Sequence, residues 1–184
     1  MKILRILICF YVFISTEVYS QADSNNSVSL VDFVNPLVGS DSAFELSNGN
    51  TYPAIATPWG MNFWTPQTGE MGNGWGYTYN AYKIRGFKQT HQPSPWINDY
   101  AAFSLFPETG KLEINEDKRA SWFSHKAEIS KPHYYKVYLA DYDVTTEIVP
   151  TERGAQFQFT FPKTDNAHIL VDGFFRKKLL SKYR

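Results

Sequence analysis

Four of the five tryptophans of this chain fall between Trp59 and Tyr100, in loops rich in Gly, Pro and Asn. Two runs stand out: Gly74-Trp75-Gly76-Tyr77-Thr78-Tyr79 and Thr90-His91-Gln92-Pro93-Ser94-Pro95-Trp96-Ile97-Asn98-Asp99-Tyr100. Flat apolar rings beside imidazole, amide, hydroxyl and carboxylate groups suit a ligand with apolar faces and polar edges, such as a sugar ring. Trp75 and Trp96, each flanked by small or turn residues, are the candidates for stacking on it. The bland reading is that each plugs the end of a sandwich. His91 lies in a segment where Pro93 and Pro95 fix φ and stiffen the backbone, which holds a side chain in place. Its bland alternative is a hydrogen bond to a nearby carbonyl. Asp99 is placed to bind a sugar hydroxyl or to brace His91. Trp59 and Trp64 sit in a more strand-like run and are expected in the core or just behind the ligand.

Hydrolysis of a glycosidic bond needs two carboxyl groups at a set separation. Asp99 and Glu70 are loop carboxylates, but nothing in the sequence marks them as a pair. Glu113, Glu116, Asp117 and Glu128 read as ordinary solvated surface. There is no phosphate-cradling Gly loop, Gly-x-Ser-x-Gly elbow, His-x-x-x-His or EF-hand spacing. His125 and His133, separated by a stretch containing Pro132, are weak evidence for a metal site. Catalysis by this chain alone has little support in its sequence.

The elements that must position these loops are strands. Phe103–Phe106 reads as a short strand ending at Pro107, and Glu108-Thr109-Gly110 as a turn into an alternating strand, Lys111–Ile114. Tyr134–Leu139 is another strand. Val144–Val149 leads through Pro150–Gly154 into Gln156–Phe161, where Phe157, Phe159 and Phe161 face one side and Gln156, Gln158 and Thr160 the other. No long segment has a 3.6-residue period. Short strands with regular turns predict an all-β fold, an antiparallel β-sandwich. The strand-like His168–Asp172 comes last, so the final sheet is expected to be unfinished and its edge prone to aggregation.

The ends carry other signals. Residues 1–20 read as a signal peptide, with Lys2 and Arg5 before the apolar Ile6–Ile14 and Val18-Tyr19-Ser20 at the cleavage point. The apolar run is short for a membrane span, so the mature chain is expected to be exported, periplasmic or extracellular. The single cysteine, Cys9, lies inside that signal, so no disulfide is expected. Residues 21–30 read as a disordered lead-in, 31–175 as one domain, and 176–184 as a basic tail with five basic residues in nine. Without the signal and the tail, 11 basic and 17 acidic residues remain, a net −6. An acidic body argues against nucleic acid as partner. The tail begins without a turn or stop signal, and a break in the reading frame explains it at least as well as an interaction segment.

At these residues the chain resembles the N-terminal domain of glycoside hydrolase family 92, the calcium-dependent exo-α-mannosidases. The resemblance rests on Val34-Asn35-Pro36-Leu37-Val38-Gly39, Tyr52-Pro53-Ala54-Ile55-Ala56-Thr57-Pro58-Trp59-Gly60-Met61, Gly76-Tyr77-Thr78-Tyr79, Ile84-Arg85-Gly86-Phe87-Lys88-Gln89-Thr90-His91, Asp99-Tyr100 and Phe106-Pro107. It runs from about Val31 to Asp172. It implies a β-sandwich followed by a larger (α/α)₆ barrel that is missing here, with the sugar site between them. It further implies exo-acting α-1,2-mannosidase-type cleavage of mannose-containing glycans with inversion, with both catalytic carboxylates and most of the calcium ligands supplied by the barrel. No catalytic residue and no metal ligand is then expected in this chain. By motif, Trp75 and His91 fall where the family lines the sugar pocket, with Trp96 and Asp99 in the adjoining loop. The Pro-Ser-Pro-Trp form departs from the commoner Leu-Ser-Gly form and bears on linkage specificity. The expectation is a truncated or frame-shifted, sugar-contacting part of an α-mannosidase, inactive alone. The alternatives are a stand-alone carbohydrate-binding module and a nonfunctional remnant.

Overall fold

Period-2 alternation becomes strand wherever one face finds a partner to pack against. The computed structural model describes residues 29–41, 51–69, 76–90 and 103–173. In chain order the strands are β1 (Phe63–Gln67), β2 (Lys83–Ile84), β3 (Gly86–Thr90), β4 (Phe103–Thr109), β5 (Ser121–Trp122), β6 (Ile129–Lys131), β7 (Tyr134–Leu139), β8 (Val144–Pro150), β9 (Ala155–Thr160) and β10 (Ala167–Gly173). One four-stranded antiparallel sheet has the order β1-β3-β4-β10, a second has β6-β7-β8-β9, and β2 and β5 form a short ladder. Among the described residues the only helices are the 3₁₀ turn Leu30–Phe33 and the single turn Glu116–Arg119. The fold is the antiparallel β-sandwich expected from the alternation.

The core lies between the two large sheets. Trp64, Phe87 and Phe106 of the first meet Tyr135, Val137, Leu139 and Ile148 of the second in one buried cluster. Phe157 packs edge-on against Trp64 with ring centroids 4.8 Å apart, and Phe87 meets Tyr135 at 6.3 Å. In β7, Tyr135, Val137 and Leu139 point inward while Tyr134, Lys136 and Tyr138 point out. That alternation is the burial pattern a one-sided sheet requires. The β8–β9 turn closes by Thr151 N–H donating to the Gly154 carbonyl, 2.8 Å.

Three expectations are corrected. Lys111–Ile114 is not a strand: its N–H groups do not join a ladder, and the Glu113 N–H instead donates to the buried Glu108 carboxylate at 2.9 Å. Besides β3, the partner of β4 is β10, in a register that sets Glu108 opposite His168 and Phe106 opposite Leu170. Pro107 does not end the strand but sits within it, opposite Ile169. The lead-in also ends earlier than expected, because Leu30 already belongs to the 3₁₀ turn; residues 21–28 lie outside the described residues. After Ile114, Asn115 caps the Glu116–Arg119 turn by accepting from the N–H groups of Asp117 and Lys118.

Candidate functional site

The first sheet presents an unusual polar row. Register places Thr65 of β1 beside Lys88 of β3, Lys88 beside Ser104 of β4, and Ser104 beside Asp172 of β10. Thr65, Lys88 and Ser104 are all buried. Burial pushes the Lys88 amine below its ordinary value, and the nearby Glu116 carboxylate opposes that shift.

Above the row sits Arg119, fully buried. Its Nε donates to the Arg85 carbonyl at 3.0 Å and Nη1 to the Ile114 carbonyl at 3.2 Å. Nη2 lies 2.7 Å from Asp172 Oδ2, an ion-pair contact whose N–H is not aligned for a hydrogen bond. The guanidinium also stands 5.8 Å from the centre of the Phe106 ring. Gln67 Nε2 donates to Glu116 Oε1 at 3.1 Å. The one-turn helix is thus clamped across β1 and β10 by side chains that a sequence pattern does not pair.

A second cluster was also not legible. Glu128, expected at the solvated surface, has a side chain only 1% exposed. It accepts from Tyr135 Oη at 2.6 Å and from Tyr77 Oη at 3.3 Å, and His125 Nδ1 lies 2.6 Å from its other oxygen. His125 Nε2 is 2.6 Å from the Tyr79 carbonyl, which can only accept, so Nε2 is the donor of that contact. Tyr79 stacks on the imidazole at 4.0 Å. With both nitrogens engaged, His125 is a brace. Burial first, and then the Glu128 charge, raise both Tyr77 and Tyr135 well above the ordinary tyrosine value. The network ties Tyr77 and Tyr79 to residues 125–128. The i, i+3 spacing of His125 and Glu128 is its one sequence trace.

Trp75, His91, Trp96 and Asp99, together with Glu70, lie outside the described residues. Their flanking residues are placed. On the flanks of Trp75, Thr68 N–H donates to the Gly76 carbonyl at 2.8 Å, just past the Gln67 end of β1. His91 follows Thr90, the end of β3, and Thr90 lies opposite Phe63. Gln67 pairs with Gly86 and Phe63 with Thr90, so these two sets of flanking residues lie at opposite ends of the β1–β3 ladder. Residues 91–102 join β3 to β4, which are adjacent in the sheet. Trp64 is buried, as expected. Trp59 corrects its expectation: it is 98% exposed. It sits at φ 60°, third in a turn closed by Gly60 N–H to the Thr57 carbonyl at 3.0 Å. A positive φ at this position, after Pro58, is that of a type II turn.

Among the described residues no group of three or more His, Cys, Asp or Glu could hold a metal ion. Those residues alone do not fit a calcium site. No helix among them is long and apolar enough to cross a membrane.

Residues 33–178 match the glycosyl hydrolase family 92 N-terminal domain. That match extends past Asp172 into the first residues of the basic tail. Among solved structures, a family 92 inverting mannosidase from Bacteroides thetaiotaomicron VPI-5482 shares 49% identity over 79% of this chain and 20% of its own, with a TM-score of 0.73. A family 92 α-mannosidase from Bacteroides thetaiotaomicron shares 35% identity over 80% of this chain and 20% of its own, with a TM-score of 0.71; it is also known in complex with mannoimidazole. This chain thus spans about a fifth of the length of these solved relatives. A search of curated proteins gave no match.

Proposed function

The chain belongs to glycoside hydrolase family 92, and we propose that it is the sugar-contacting part of an exo-acting α-mannosidase that cleaves mannose-containing glycans with inversion. The observation that carries this reading is the likeness to family 92 mannosidases at 35–49% identity over about four-fifths of the chain. The relatives' remaining length then supplies the acid and base carboxylates and most of the calcium ligands. The sandwich supplies ring faces and polar edges through Trp75, His91, Trp96 and Asp99.

The flanking geometry supports a supporting role for the sheet. Strands β1, β3 and β4 run side by side, and the residues flanking the two aromatic segments sit at opposite ends of the β1–β3 ladder. A scaffold of paired strands holds loop side chains more firmly than loops alone. Export to the periplasm or outside the cell is part of the same proposal, and the basic start, apolar run and Ser20 cleavage point support it.

The test is incubation of the purified chain with an aryl α-mannoside, alongside a mannobiose titration. The expected result is no mannose release and weak saturable binding that Trp75→Ala and His91→Ala each reduce. Mannose release by the chain alone would overturn its assignment as a non-catalytic part. Mannobiose binding indifferent to both substitutions would remove those residues from the sugar site.

A further inference from the structure

The outward face of the second sheet is a grid fixed by register. Tyr135 pairs with Ile148 and Lys136 with Glu147, while Glu147 pairs with Gln158 and Val149 with Gln156. One row across β7, β8 and β9 therefore reads Tyr134, Val149, Gln156, and the next reads Lys136, Glu147, Gln158. An open trough of about 480 Å³ lies here, lined by Tyr134, Glu147, Val149, Gln156, Gln158 and the β9 residues Phe157 and Phe159. Its size falls within the roughly 300–1,000 Å³ typical of small-molecule sites.

A solvated sheet face is polar by default, and this one has further properties. Tyr134 Oη donates to Glu147 Oε1, which anchors the phenol end of the ring. Lys136 Nζ stands 3.8 Å from the same carboxylate, so the two charges offset each other. What remains for a ligand is a ring and a valine for apolar contact, with two carboxamides projecting from the same face of β9. Each carboxamide both donates and accepts, and two residues along a strand separates them by about 7 Å. A charged ligand would find no uncompensated counter-charge. A purely apolar one would desolvate Glu147 and both amides without replacing their hydrogen bonds.

We propose that this trough is a second carbohydrate site, taking a neutral hexose oligosaccharide with Tyr134 against a sugar face and Gln156, Gln158 and Glu147 on its hydroxyls. Its lining includes none of Trp75, His91, Trp96 or Asp99, and it does not depend on their assignment. Such a site would hold a glycan chain on the protein independently of the loops that contact the terminal sugar.

The experiment is an NMR titration of the full chain with mannobiose, following the side-chain amides of Gln156 and Gln158. The expected result is a saturable shift of both, with Tyr134→Ala weakening the affinity about tenfold, as loss of one aromatic contact implies. Gln158→Ala, at an exposed position, is expected to weaken it severalfold while leaving the circular dichroism unchanged, and it decides the matter if Tyr134→Ala does not fold. Trp75→Ala is expected to leave the shift of these amides intact. Amides that do not move with mannobiose, or an affinity indifferent to Gln158→Ala, overturn the proposal. Binding lost in Trp75→Ala but retained in both trough variants overturns it too, while supporting the loop reading.

Discussion

At the scale of single residues, burial and not residue type separates the carboxylates. Glu128 and Asp117 look alike in sequence; one is sealed under two tyrosines and a histidine, and the other is an exposed partner of Arg85. Gly86 shows the same dependence on neighbours. A Cβ there would lie 2.0 Å from Ser104 Oγ and 3.1 Å from Gln67 Oε1, so the strands pair closely only because the side chain is absent. Gly86→Ala is expected to destabilise the chain by about 1–3 kcal/mol in urea unfolding. Ser104 Oγ is buried without a hydrogen-bond partner, so adding Ser104→Ala should recover part of that loss by removing the clash. A double variant no more stable than Gly86→Ala alone would show that the strain lies elsewhere. The glycine was legible as part of a motif, but its reason required the neighbouring strand.

At the scale of elements, strands whose alternation matched a packed face were readable almost residue by residue. Tyr134–Leu139 is β7 as expected, and the Gln156–Phe161 alternation survives in β9. Lys111–Ile114 alternates as well, yet Glu108 and the cap at Asn115 take its backbone elsewhere. β10 is the last described strand, and among the described residues it pairs only with β4. Its Ile169 and Val171 are 52% and 65% exposed. An apolar strand at a sheet edge invites pairing with another chain. Val171→Lys is expected to lower light scattering at high protein concentration while shifting the unfolding free energy by no more than about 0.5 kcal/mol. Scattering unchanged by the substitution would rule out this edge as the source of association.

At the scale of the whole molecule, tyrosines bind the sheets to their covering segments. Tyr77, Tyr135 and Tyr142 are all shifted upward chiefly by burial, Tyr142 to about 12. Above the ordinary value of 10.0 the unfolded chain loses phenolic protons that the folded chain keeps. Unfolding then releases protons, and stability falls as pH rises from about 10 to 12. Urea midpoints are expected to be flat below that window with respect to these groups and to drop through it, together with a cooperative rise in tyrosinate absorbance. Gradual tyrosinate formation without loss of structure would contradict the burial. The sequence by itself determined the sandwich class, the strands with one packed face and the family, because each is written in local periodicity or in ordered short motifs. Only the tertiary structure decided that β4 pairs with β10, that Arg119 and Glu128 are buried, and that Trp59 faces solvent. Those outcomes depend on which distant segment arrives above a residue to exclude water and complete its hydrogen bonds.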